Sequence, residues 1–384
     1  MAVLRRTTRR STDAVSTTTP RVETATPEVR SRRHGERGVA RPVLASRRTR
    51  RPVVIALAVL AGALIAGVST GPADLSLGVV ARALLAHVPF LHLHTGVTQV
   101  QSDIVWQVRM PRVVLGALVG AMLAGGGAAY QGVFRNPLAD PYLLGVAAGA
   151  GLGATVVIVA GPGMHQLVPL AAFVGAAGAV VITYTLGART SRGRATVGIV
   201  LAGVAVAAFL TAVQTYVQQQ HTQDLQEVYT WILGRLTTAT WSDVAVVIPY
   251  AAVSATILLA HRRHLDVLRV GEDEATTLGI HAPRVRLLVV IGATIGTAAA
   301  VAFTGLIGFV GIIVPHIVRL TAGSSYRVVL PVSLIGGAAF LVLADIAART
   351  VQAPTEIPIG IVTAFIGAPF FLFVLQSRRA QRGV

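Results

Sequence analysis

Long apolar runs separated by short polar breaks recur along the chain from residue 53 almost to its end. The runs lie at roughly 53–69, 112–133, 142–161, 167–187, 196–217, 242–260, 285–305, 307–321, 328–347 and 357–376. Most come close to the about 20 residues that a helix needs to cross a bilayer. The pattern therefore predicts an all-α, polytopic membrane protein with about ten transmembrane helices. Small residues recur inside the runs at helical spacing, as in Gly120, Ala124 and Gly127, or Gly292, Gly296 and Ala300. In lipid, such residues let helix backbones approach closely. Residues 1–52 break the pattern, being rich in Arg, Ser, Thr and Pro with no apolar periodicity. A segment of that kind cannot bury enough surface to offset ordering entropy, which predicts a disordered basic tail. The expected organisation is a tail at 1–52, a transmembrane body at 53–378 with its longest charged connector at about 262–286, and a short segment at 379–384.

Composition sharpens this picture. Of the 384 residues, 53% are hydrophobic and 13% charged, against about 25% charged in soluble domains. The absence of cysteine excludes disulfides, a thiolate nucleophile, zinc–thiolate sites and iron–sulfur clusters. All 33 basic residues are arginine. Without a lysine there is no Schiff-base chemistry and no P-loop lysine to reach nucleotide phosphates. If ATP drives this protein, Mg-ATP binds to another chain, and no cofactor is expected on this one.

The net charge of +17 is unevenly placed: 14 arginines stand against four acids in residues 1–52, and 19 against 12 in the rest. That describes a charged tail on an apolar body, and no nucleic-acid partner is expected. With ten spans and a cytoplasmic N-terminus, 14 of the arginines after residue 52 fall in inward loops and the C-terminus. Five face outward: Arg82, Arg109, Arg112, Arg235 and Arg349. Positive residues mark the cytoplasmic side, so both termini are expected there.

Few polar groups adjoin the runs. Arg109-Met110-Pro111-Arg112 opens the second run, and Asp345 and Arg349 end the ninth, ahead of Glu356-Ile357-Pro358. These outward arginines either snorkel to headgroups or form a basic ring for an acidic partner, since arginine pairs carboxylates in bidentate fashion. In the connector, Gly271 to Ile280 reads as a short helix stopped by Gly279. Its apolar positions Val270, Ala275, Leu278 and Ile280 give a face for a partner; a solvated connector is the alternative. Asn136 and Asp140 precede prolines and read as turn residues. His316 lacks a neighbouring ligand at metal spacing and reads as structural. His87, His92 and His94 share one outer loop as a weak metal or haem signal.

Several motifs occur in one order: Arg109-Met-Pro-Arg112; Gln131 to Gly145 through Asn136-Pro137 and Asp140-Pro141; Gly271-Glu272 to Leu278-Gly279; Thr304 to Arg319 through Pro315-His316; Ala344-Asp345 to Arg349; and Glu356 to Gly360. Over residues 53–378 the chain resembles the FecCD/BtuC family, the permease subunits of type II ABC importers for iron–siderophore complexes, haem and vitamin B12. The resemblance implies a ten-helix permease in the cytoplasmic membrane that pairs with a second copy or a paralogue. It further implies two cytoplasmic ATPase subunits and an extracytoplasmic substrate-binding protein. By the same resemblance, Arg109, Arg112 and Arg349 dock that binding protein. Leu268, Gly271, Glu272, Ala275, Leu278 and Gly279 belong to the ATPase coupling segment, and Thr196, Tyr216 and Gln218 to the translocation path and gate.

Two other classes are weighed. An intramembrane enzyme needs convergent ionisable residues within the spans, and an ion-coupled secondary transporter needs a buried charge near the midplane. The runs offer neither. Within the importer reading, an iron(III)–siderophore is the first expectation for the cargo, then haem, with cobalamin the alternative.

Overall fold

The structure, a computed structural model, describes residues 46–71, 73, 75–87, 96–190 and 195–380. These residues form helices α1 (Ser46–Ser69), α2 (Leu77–Ala86), α3 (Gln99–Asp103), α4 (Met110–Val133), α5 (Val146–Val159), α6 (Val168–Thr190) and α7 (Ala195–Gln220). There follow α8 (Leu225–Ile232), α9 (Trp241–Leu268), α10 (Glu272–Thr277), α11 (Ala282–Thr304), α12 (Val310–Ala322), α13 (Tyr326–Thr350) and α14 (Ile359–Ala380). No strand occurs among the described residues. Every predicted run carries a helix. Seven are long and apolar enough to span a membrane: α1, α4 with the turns before it, α6, α7, α9, α11 and α13. The apolar parts of α5, α12 and α14 are shorter. The tail expected at 1–52 is displaced, because α1 already begins at Ser46; residues 1–45 lie outside the described residues.

Helices α4, α11 and α13 form the centre, and small residues bring them there. A Cβ added at Gly120 on α4 would run into the carbonyl oxygen of Gly337 on α13, and the reverse holds at Gly337. About two turns further, Gly127 meets the backbone of Gly311 on α12 in the same way. With no solvent to drive helices together in lipid, such close packing supplies the association energy.

Two backbone irregularities interrupt the helices. Ahead of α4, Ile104–Arg109 form a π-helical turn that joins α3 to α4 without a break. Pro111 lacks an N–H and its ring crowds the carbonyl four residues back, which a wider turn relieves. Between α11 and α12 the chain leaves the helix at Gly305 and re-enters it only at Val310, not at 307 as the apolar run suggests. Phe309, at the N-cap, has φ 68° and cannot continue a helix. Inside a bilayer, irregular backbone must be satisfied by protein. The Tyr142 hydroxyl does this for Ile307, donating to its carbonyl and accepting from its N–H, both at 3.0 Å.

Candidate functional site

The first end of the bundle gathers Arg109, Arg112 and Arg349, as the sequence suggests, but not as an exposed ring. All three are buried. Helix α1 ends at Ser69 and leaves its last carbonyls without intrahelical partners. Arg109 donates through Nη1 to the carbonyls of Val68 and Ser69, at 2.9 Å each, and through Nη2 to that of Ala73. Arg349 donates to Thr70 at 2.8 Å and to Gly67 at 2.9 Å. Two cations thus close the negative end of the α1 dipole. Arg112 donates to Asp345 through Nε and Nη2 at 2.8–3.1 Å and to Glu356 through Nη1 and Nη2 at 2.9 Å. Asp345 also pairs with Arg349, one helical turn away, at 3.1 Å.

The three arginines therefore do not form the exposed ring that the sequence suggested. Their guanidiniums are held by carboxylates and helix-end carbonyls of their own chain, and burying them unpaired would be prohibitive. The exposed arginines at this end are Arg82, on α2, and Arg235, in the α8–α9 connection. Neither is in an ion pair among the described residues. Arg235 lines a cavity of about 180 Å³ beside Arg112, Asp345 and Glu356. It also lines a larger one of about 370 Å³ that holds Glu227, His165 and Asp243.

At the opposite end, α10 is the short helix expected in the connector. Gly279 stops it: its N–H bonds to Thr276 and that of Ile280 to Ala275, both at 2.9 Å, with Gly279 at φ 76°. This is the Schellman arrangement, which favours glycine. Glu272 opens the helix and pairs with Arg286 on α11, and more loosely with Arg135 at 3.9 Å. The face expected to contact a partner divides in two. Ala275 and Leu268 are buried against the bundle, whereas Val270 and Leu278 are about 70% exposed. A Cβ at Gly271 would meet only the carboxylate end of the exposed Glu274 side chain, which is free to swing aside. Beside this element, Asp266 accepts from Ser325 Oγ at 2.7 Å and from the Tyr326 N–H at 2.6 Å, pinning α9 to the start of α13.

The third group of expected residues lies on α7. Tyr216 is exposed and Gln218 half-buried near its end, and the Thr196 side chain lies outside the described residues. Gln214 is buried against Gly151 of α5, a packing role the sequence reading missed. Gln131, quoted within a motif without a role, donates to the Gly311 carbonyl at 2.9 Å and accepts from Arg319. His316 packs edge-on against Phe370, and His87 stacks on Trp106 with centroids 4.3 Å apart. His92 and His94 lie outside the described residues, and no metal-holding cluster occurs among those described.

Comparison with known proteins agrees with this fold. A profile of the FecCD transport family matches residues 57–377. A cobalamin import system permease of Halobacterium salinarum is 44% identical over 75% of this chain and 78% of its own. A hemin transport system permease of Yersinia pestis is 37% identical over 73% and 86%. An iron(3+)-hydroxamate import system permease of Bacillus subtilis is 36% identical over 83% and 80%. A solved structure described as an inward-facing conformation of a metal-chelate type ABC transporter shares 27% identity. It has a TM-score of 0.75 and covers 85% of this chain and 99% of that one.

Proposed function

The chain belongs to the FecCD transport family and is an ABC importer permease, and we propose that it carries an iron(III)–siderophore of low net charge across the cytoplasmic membrane. The match over residues 57–377 carries the importer reading. Residue content supports the division of labour. A chain with no lysine has no P-loop, so two copies of a separate ATPase supply the energy and a substrate-binding protein supplies the cargo.

On this reading α7 lines the pathway, and its chemistry bears on the cargo. Its 26 residues include no charged side chain, only glutamines, threonines and one tyrosine among aliphatics, two glycines and Phe209. Such a wall suits a chelate whose metal charge is already balanced, and it gives no counter-ion to a polyanionic citrate complex. A second reading, cobalamin, is favoured by the 44% identity with the halobacterial permease, against 36–37% for the hemin and hydroxamate permeases. Cobalamin is likewise large and polar without a high net charge.

Docking at the outer mouth falls to Arg82 and Arg235, whose exposed cations suit acidic groups on a binding protein. The ATPase sits on Val270 and Leu278, with α10 braced behind them by the Glu272–Arg286 pair. On this reading the end carrying α10, and both termini, face the cytoplasm, and the arginine distribution supports that orientation. Proteoliposomes carrying the permease, its ATPase and its binding protein provide the test. Uptake of a labelled ferric hydroxamate that depends on ATP, and is not displaced by excess cobalamin or ferric citrate, is the expected result. Displacement by cobalamin would transfer the assignment to corrinoids, and uptake without the ATPase would end the importer reading.

A further inference from the structure

Helices α1, α12 and α13 leave a furrow of about 580 Å³ between them on the outside of the bundle. Small residues on α13, Gly336 and Ala339, help line it, and the exposed Ile55 and Val59 of α1, Ile317 of α12 and Leu343 of α13 form much of the rest. Arg51 stands among the lining residues at the start of α1's apolar span. It is exposed and in no ion pair among the described residues.

We propose that this furrow binds one acyl chain of an anionic glycerophospholipid, with the lipid phosphate against Arg51. Three observations converge on that occupant. Along α13 the lining runs from Val332 to Leu343, about 16 Å at 1.5 Å per residue. That matches half of a hydrocarbon core about 30 Å thick, so one leaflet's chain fits end to end. The lining is apolar along its length except for Arg51 and Thr321, which is the polarity profile of a lipid. Charge then selects among lipids, because Arg47, Arg48 and Arg50 precede Arg51 in the same helix.

A tryptophan reporter tests this in the full chain, in micelles and in the assembled transporter. The three native tryptophans, Trp106, Trp231 and Trp241, are not in the furrow lining, and wild-type protein supplies their background. In Leu343→Trp, phosphatidylglycerol with brominated acyl chains should quench the new fluorescence at about fivefold lower concentration than brominated phosphatidylcholine, the advantage of roughly one arginine–lipid charge contact. Adding Arg51→Glu should erase the preference while quenching by phosphatidylcholine persists. Equal quenching by the two lipids in Leu343→Trp would overturn the proposal, leaving only unselective lipid at the surface. Quenching that emerges only after residues 1–45 are removed would also overturn it, by assigning the furrow to the chain's own tail.

Discussion

Replacing Arg112 by glutamate separates the two accounts of the arginine cluster. If Arg112 docks a partner, Arg112→Glu folds normally and fails only to bind. The structure requires otherwise. The guanidinium makes three contacts of 2.8–3.1 Å to Asp345, which is 2% exposed, and two of 2.9 Å to Glu356. Removing one partner of a buried pair costs about 3–5 kcal/mol. A third carboxylate beside the two left behind pushes Arg112→Glu to the upper end of that range. At about 2–4 °C per kcal/mol, the expected fall in melting temperature is on the order of 10 °C.

The assay is thermal unfolding of the detergent-purified permease, run beside capture by immobilised binding protein. Arg112→Lys should fall between the two, since lysine keeps the charge but cannot make the two-carboxylate fork. An Arg112→Glu variant that melts with wild type yet loses capture would refute the internal-network reasoning.

Other predictions address the remaining elements. Arg82→Glu with Arg235→Glu should reduce capture by the binding protein tenfold or more with an unchanged melting temperature. Leu278→Glu should lower ATPase-coupled uptake without loss of expression, whereas Ala275→Glu, forced into a buried position, should lower expression itself. Tyr142→Phe strips the Ile307 carbonyl and N–H of their shared partner and should destabilise by about 1–3 kcal/mol, read as a lower melting temperature. Gly120→Val should prevent α4 and α13 from closing at their crossing, with aggregation on size-exclusion chromatography as the readout.

Hydropathy alone made the helices of the ten apolar runs legible, because apolar length is what a bilayer demands, but not the shorter α2, α3 and α8, and Gly279 marked its own helix stop. What escaped the sequence reading depends on partners far away in the chain. Counting arginines distinguishes the two sides of a membrane but not inside from outside of a bundle. The acceptors that claim Arg109 and Arg349 are backbone carbonyls at the end of α1, some 40 and 280 positions away, and backbone carbonyls carry no residue signature. The start of α12 was misjudged because Phe309 looks like any apolar residue until its positive φ is seen. In α10, a helix of six residues, one turn of pattern could not tell which apolar side chain faced the bundle.

The distribution of tight contacts also constrains how such a permease moves. In α4, α11 and α13 between 61% and 78% of the apolar span is buried within the chain, against 22% in α7 and in α9. The crossings at Gly120–Gly337 and Gly127–Gly311 leave no slack for sliding, since any shift brings backbone against backbone. At one end the Arg112–Asp345 network joins α4 to α13; at the other, Asp266 ties α9 to α13 beside α10. On the proposed docking of the ATPase, a push delivered to Val270 and Leu278 passes into a stiff central unit rather than dissipating in local bending. For alternating access between two packings, the economical division has α4, α11 and α13 moving as one body while α7, mostly exposed along its apolar span and uncharged, changes its angle to them. Crosslinking tests that division: engineered cysteine pairs across α4–α13 should leave uptake intact, and pairs holding α7 to α5 or α6 should stop it. The reverse pattern would place the motion in the wrong helices.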